Sequence, residues 1–265
     1  APTSITNGAY HFTTTSSRLT TDHADFNISS STAWTIEYWY YFVSSSDSTP
    51  IFDLGVGNAM QAYLISGNQK IYSGPAGGYI IDMGTGASGG YQNGVWHHLA
   101  ITGDSSGNVK AYLDGVQKGS TYNKGSAWAV TGGRVRFNGY AGSGYTTVGE
   151  NIYLSDFRLV NGTEVYTGNF TRPSGVLTTT GGTYPSTTNV NTSIPAGHTK
   201  LLTCQNSSGS FVDNSGNGHT FTEDGTVNLI AGVEDSSTTD ASSSAHSITQ
   251  AGDAANFGCT PFRFS

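Results

Sequence analysis

Val95-Trp-His-His-Leu-Ala-Ile-Thr102, Val109-Lys-Ala-Tyr-Leu-Asp-Gly115 and Ile152-Tyr-Leu-Ser-Asp-Phe-Arg-Leu-Val160 are the stretches on which the fold turns. In each, side chains alternate at period two, the pattern of a strand with one face in a core. Asp114-Gly115, between Leu113 and Val116, is a type I′ hairpin signal. Both central residues of that turn need positive φ, which Asp tolerates and Gly adopts freely.

Upstream, Ala9-Tyr-His-Phe12 and Trp34-Thr-Ile-Glu-Tyr-Trp-Tyr-Tyr-Phe-Val43 read as strands. The second has aromatic or aliphatic side chains on both faces, which places it mid-sheet. Ile51-Phe-Asp-Leu54, Met60-Gln-Ala-Tyr-Leu-Ile65 and Lys70-Ile-Tyr72 follow as a meander punctuated by Gly55, Gly57, Gly67 and Asn68. Gly74 to Gly90 reads as a glycine-rich loop interrupted by Tyr79-Ile-Ile81. Thr121 to Ala129 and Gly139 to Tyr145 are two further loops around a strand Val135-Arg-Phe-Asn138. Residues 176–198 contain no apolar run and read as a long surface connection. Lys200-Leu-Leu-Thr203, Ser210-Phe-Val212 and His219-Thr-Phe-Thr222 then complete a sandwich. The expected fold is all-β, an antiparallel two-sheet jelly roll of roughly a dozen strands with at most a helical turn or two.

Composition supports one full-sized domain. A chain of 265 residues needs no metal or disulfide staple to close a core. Charged residues make up 11%, which would suggest disorder were it not for fifteen Tyr, twelve Phe and four Trp. The net charge of −7 argues against nucleic acid and anionic membrane as partners, since both are bound through Lys and Arg. No apolar run approaches the roughly 20 residues of a spanning helix, so no membrane insertion is expected. Ala1-Pro-Thr-Ser lacks a basic n-region and an apolar h-region, so either a signal peptide has been removed or there was none; an alanine first residue is also what removal of an initiator Met leaves, the reading preferred for a protein made in the cytoplasm. Cys204 and Cys259 read as two reduced buried thiols in preference to a bridge closing the C-terminal extension. The Asn-x-Ser/Thr sites at Asn27, Asn161, Asn169, Asn191 and Asn206 are what a Ser/Thr-rich chain carries by chance, and none is read as glycosylated.

Trp96-His-His-Leu-Ala100 leading to Tyr112-Leu-Asp-Gly115, with the later Ser155-Asp-Phe-Arg-Leu159, resembles the laminin-G or concanavalin A-like family of jelly-roll lectin domains. The resemblance covers most of residues 1–228 and leaves 229–265 as a C-terminal extension. Leu154 to Pro173, with Thr199 to Gln205 and Phe211 to His219, is similar to the form such domains take in tailed phages, where they are parts of fibres, adhesins and other virion surface proteins. This implies a structural protein on the surface of a capsid or tail, a homo-oligomer partnered by other virion proteins, that binds host-surface polysaccharide. The alternative is a secreted or surface lectin module with no virion role, and an extracellular location. Some relatives bind calcium through loop carboxylates and carbonyls. Asp213-Asn214 and Glu223-Asp224 offer oxygens here, but no loop has regularly spaced ligands, so no metal or other cofactor is assigned.

Catalysis is not expected. Retaining glucanases of this fold need two carboxyl groups about 5–5.5 Å apart on one strand, and no Glu-x-Asp-x-x-Glu or Glu-x-Asp-x-Glu run exists. Glu37, Glu150, Glu164, Glu223 and Glu234 stand isolated, and Asp156 reads as a partner of Arg158 or of a turn amide. His97 and His98 are adjacent on a strand, point to opposite faces and cannot share an ion.

Surface recognition is left. Lectin sites stack a sugar ring on an exposed aromatic while polar groups bind its hydroxyls. The glycine-rich loops carry Tyr79, Tyr91, Trp128, Tyr140 and Tyr145 beside Asp82, Asn93 and Asn138, and these form the candidate glycan site. The competing reading is that these rings fill gaps under the loops or make subunit contacts. In the extension, Asp213-x5-His219-x-Phe221-Thr222-x2-Gly225 recurs as Asp240-x5-His246-x-Ile248-Thr249-x2-Gly252, either the start of a truncated second unit or a common strand-turn-strand pattern met twice. Phe257, Phe262 and Phe264 follow a polar stretch and read as an assembly arm.

Overall fold

A computed structural model describes residues 5–44, 49–56, 59–65, 67–85, 93–123, 129–140, 149–233, 237–239 and 247–249. Its strands are β1 (Gly8–Phe12), β2 (Arg18–Asp22), β3 (Trp34–Ser44), β4 (Thr49–Leu54), β5 (Met60–Ile65), β6 (Asn68–Ser73), β7 (Gly78–Thr85), β8 (Trp96–Gly103), β9 (Asn108–Leu113), β10 (Val116–Asn123), β11 (Arg134–Phe137), β12 (Asn151–Asn161), β13 (Thr199–Thr203), β14 (Thr222–Asp224), β15 (Val227–Ala231), β16 (Ser237–Thr239) and β17 (Ser247–Thr249). The only helical element among the described residues is the 3-10 turn Ala24–Phe26.

Two large antiparallel sheets result, and β16 and β17 pair as a separate two-stranded antiparallel sheet. One large sheet runs β10-β9-β8-β3-β12-β1-β15, with β13 also paired to β12; the other runs β14-β2-β11-β4-β5-β6-β7. The expected all-β sandwich is present, and β3 lies in the middle of its sheet between β8 and β12. Asp114 and Gly115 join β9 to β10 with φ of 49° and 83°, as a type I′ turn requires. Between the sheets, Tyr38, Phe52, Phe137 and Phe157 pack ring on ring, with centroids 4.7 Å apart for Phe137 and Phe157 and 5.7 Å for the Tyr38–Phe52 and Tyr38–Phe157 pairs. Each ring sits at an alternate position of its strand, so the period-two pattern of the sequence is the core itself.

Several expectations are corrected. Gly78–Thr85 is a strand, not part of a loop, because its backbone pairs with β6 from Ser73↔Gly78 to Asn68↔Thr85. Tyr122 belongs to β10. Residues 162–198 do form an irregular connection, but it does more than cross the surface. It folds over the outer face of the eight-stranded sheet and buries Val165, Tyr166, Phe170 and Ile194 against Ala100, Tyr112 and Val160. These apolar residues are scattered along the segment, with Tyr184 and Val190 packed against the same cluster, so no continuous run was needed. β15 straddles residue 228 and pairs with β1 from Gly8↔Ala231 to Phe12↔Val227, so the sandwich runs on past the expected boundary. Val233 then packs with Ile5 and Trp39.

Candidate functional site

The outer faces of the two sheets differ. On the eight-stranded sheet, the side chains of Glu37 and Arg158 are both fully buried beneath the 162–198 excursion. Arg158 uses all its N–H groups: Nε and Nη2 donate to Glu37 Oε1 at 3.0 and 2.5 Å, Nη2 also to Tyr184 Oη at 3.1 Å, and Nη1 to the carbonyls of Thr178 (2.8 Å) and Gly181. Tyr166 Oη donates to Glu37 Oε2 at 2.6 Å, and His98 Nε2 lies 3.2 Å from the same oxygen. Burial works to raise the Glu37 carboxyl, but Arg158, His98 and Tyr166 outweigh it and hold the pKa at about 2. Glu37 is therefore not isolated, and Arg158 pairs with it across the sheet, not with Asp156. Asp156 instead accepts from the Leu177 amide at 2.8 Å and from Gln205, which agrees with the turn-amide reading. These are catalytic residue types without access for a substrate, and they fasten the excursion to the sheet.

His97 and His98 do face opposite ways. His97 Nδ1 bonds Asp114 Oδ2 at 2.7 Å, and its ring lies 5.7 Å from that of Tyr40, a core residue. His98 lies beneath the excursion, with its ring 5.9 Å from that of Phe170.

The outer face of the seven-stranded sheet is the candidate site. Its registers place one outward residue per strand in a continuous row: Thr222, Thr20, Arg136, Asp53, Gln61, Tyr72 and Tyr79. The row ends at Tyr79, which at 44% exposure is the only aromatic among the exposed large apolar residues described. Tyr72 and Tyr63 flank it at ring distances of 5.4 and 5.8 Å, and Tyr63 is hydrogen-bonded through its hydroxyl to Tyr140. Beside the ring, Lys70 Nζ sits 5.4 Å from its centroid and 3.0 Å from Asp82 Oδ2. Asn68 Nδ2 donates to both Asp82 oxygens at 3.0 and 3.1 Å, and the Gly84 amide donates at 2.9 Å. Burial works to raise the Asp82 carboxyl, but the Gly84 amide, Lys70 and Asn68 together outweigh it and bring it below the usual carboxylate range. It is an acceptor at neutral pH. Further along the row Gln61 is 1% exposed, and its Nε2 has no hydrogen-bond partner among the described residues. Asp53, its neighbour, has Arg136 and Gln61 as cross-strand partners and no second carboxylate in register.

Of the sequence candidates, the structure thus brings together Tyr79, Asp82 and Tyr140. Tyr79 and Asp82 stand on a strand and not on a loop. Asn138 is excluded as a ligand group: it is fully buried, Nδ2 donates to the Ser17 and Glu150 carbonyls at 3.0 Å each, and Oδ1 accepts from the Glu150 amide at 2.7 Å. Its φ of 58° and saturated amide make it a structural turn residue. Tyr91, Trp128 and Tyr145, like Phe257, Phe262 and Phe264 of the proposed arm and most of the second repeat, lie outside the described residues. The sequence reading missed Tyr63, Tyr72, Lys70, Asn68 and Gln61. The signal was present: Gln61 and Tyr63, Asn68, Lys70 and Tyr72 are alternate positions of consecutive strands, opposite the core-facing Met60, Ala62, Leu64 and Ile71.

A family model described as concanavalin A-like lectin/glucanases superfamily matches residues 13–163. Among solved structures, the chain resembles a candidate carbohydrate binding protein from Bacteroides ovatus, with 12% identity over 88% of this chain and 62% of that one and a TM-score of 0.60. It also resembles the heptameric SAP-like pentraxin of Limulus polyphemus, at 15% identity over 87% of this chain and 97% of that one, with a TM-score of 0.52. Among curated protein sequences none matches. At these identities the likeness is one of fold.

Proposed function

The chain belongs to the concanavalin A-like lectin/glucanase superfamily, and from that membership we propose that it is a non-catalytic carbohydrate-binding module whose site is the outer face of the seven-stranded sheet around Tyr79. The observation that carries this is the exposed Tyr79 ring, flanked by the fixed acceptor Asp82 and the donors Lys70 and Asn68. A pyranose has an apolar face to stack and a rim of hydroxyls that both donate and accept, and this face supplies a partner for each. The resemblance of the stretch from Leu154 to Pro173 to phage domains supports a virion surface, on capsid or tail, as its setting, with host polysaccharide as ligand and other virion proteins as partners. Phe257, Phe262 and Phe264 are the proposed assembly arm of that setting.

A glycan array probed with the whole chain tests the site. Wild-type protein is expected to bind at least one polysaccharide, and Tyr79→Ala to bind it several-fold more weakly, a loss of about 1 kcal/mol for one stacked ring, with an unchanged melting temperature. An array without hits, or affinity indifferent to Tyr79→Ala, overturns the proposal.

A further inference from the structure

On the opposite flank of the same sheet, His23, Asp25 and His219 converge from two distant parts of the chain. His23 follows β2 and caps the 3-10 turn that carries Asp25. His219 lies in the return between β13 and β14, its backbone amide tied to Asp213 Oδ2 at 3.1 Å and its ring edge-on to the buried Phe26 at 4.7 Å. Asp25 Oδ2 lies 3.1 Å from His23 Nδ1 and 3.6 Å from His219 Nε2, and the three ligand atoms fall within 4.8 Å of one another. The His219 side chain is 4% exposed and that of His23 53%, so the cluster has a fixed inner ligand and an outer one that solvent reaches.

Hydrogen bonding alone does not account for the contact between His23 and Asp25. The Asp25 amide donates to His23 Nδ1 at 3.2 Å, which makes that nitrogen an acceptor, yet the same nitrogen faces the acceptor Asp25 Oδ2 at 3.1 Å. One ring nitrogen cannot accept from the amide and donate to the carboxylate together. A divalent cation between Nδ1 and Oδ2 removes the conflict, and the Asp25 amide, whose bond to His23 lies at the surface, turns to water. Ligand atoms about 2.0–2.2 Å from a tetrahedral ion stand roughly 3.4 Å apart, and the two shorter spacings here bracket that value. The third closes by rotation of the exposed His23 ring. His219 Nε2 donates to the Lys200 carbonyl at 3.0 Å; on binding the ion it gives up that proton, and the carbonyl is near enough to serve as a fourth ligand or to leave that place to water.

We infer that His23, Asp25 and His219 form a binding site for a divalent transition ion of the zinc type. Two imidazoles and one carboxylate favour such an ion over calcium or magnesium, which take oxygen ligands. The ion would cross-link the β2–β3 connection to the segment leading into β14.

The test uses the full chain, without a polyhistidine tag and stripped with a chelator, titrated with zinc chloride by calorimetry. One zinc per chain is expected. With zinc about 100-fold above its Kd, the melting temperature should rise by roughly 5–10 °C. Asp25→Asn and His219→Ala should each weaken binding at least tenfold. Because His219 is packed and its variant could misfold, His23→Ala, on an exposed side chain, is the decisive control: losing the cap should lower its metal-free melting temperature by only a few degrees, and it should lose the zinc-induced rise. No uptake by wild type, or equal uptake and an equal rise in His23→Ala, overturns the inference.

Discussion

Asp156 shows how a single position escapes a reading by sequence. It stands within β12 at φ 54°, where the register with β3 shifts between Ser155 and Arg158, and its carboxylate points to the Leu177 amide and Gln205 instead of along the strand. A strand pattern predicts neither the bulge nor its partners, which come from 21 and 49 residues away. Burial pushes its carboxyl up to about 7, with Gln205, the Leu177 amide and Arg158 pulling the other way. A folded-state pKa above the unfolded one means that the native state binds the extra proton, so stability falls as pH rises from about 4 to about 7 and is level above. Each unit in that window costs up to about 1.4 kcal/mol. Glu37 has the opposite sign: held at about 2, it contributes stability above its unfolded value near 4.5 that is lost as pH falls. Urea unfolding at pH 4.5 and 7.5 should therefore show the wild type less stable at the higher pH, and Asp156→Asn should flatten the difference. An equal slope in both proteins would contradict the assignment.

Among the elements, the strands with clean alternation were legible: β3, β8, β9 and β12 stand where the period-two runs put them, and the Asp114-Gly115 turn has the expected backbone. β7 was not, because its glycine-rich surroundings have turn composition and only pairing with β6 makes it a strand. Its other neighbour is β10, which approaches closely at Gly119. There the backbone has φ 67° and β10 breaks register between Lys118 and Tyr122; a Cβ would lie 2.6 Å from the Asp82 carbonyl oxygen. Glycine is required on both counts. Gly119→Ala should destabilise the protein by about 2 kcal/mol or more, from left-handed strain and from overpacking against β7. It presses on the backbone of Asp82, so glycan affinity should fall as well, whereas a purely local loss of stability would leave affinity intact; thermal melts and binding curves on one sample separate the two.

For the molecule as a whole, composition and alternation were enough for a sandwich, but which sheet keeps an exposed aromatic on its outer face depended on long-range packing. The excursion 162–198 covers one sheet by burying scattered residues such as Val165 and Ile194, and the other sheet keeps Tyr79 exposed. The end of the sandwich was equally hidden, since the expected boundary at 228 cuts β15. A chain ending at Val233 should melt at the temperature of the full chain, while one ending at Asn228, stripped of Leu229, Ile230 and Val233, should melt several degrees lower or fail to fold. In the proposed virion setting, the chain ending at Val233 should also fold without joining particles; normal incorporation would remove the role given to the arm. The position of β1 has a further consequence, for synthesis. β1 lies between β12 and β15, so it is hydrogen-bonded on both edges by strands made much later. At about 5–20 residues per second, on the order of ten seconds or more separates the appearance of Tyr10 from that of its partners Leu154 and Leu229. During that interval the ribosome-bound chain carries a strand with open edges, a template for wrong pairing until β15 emerges.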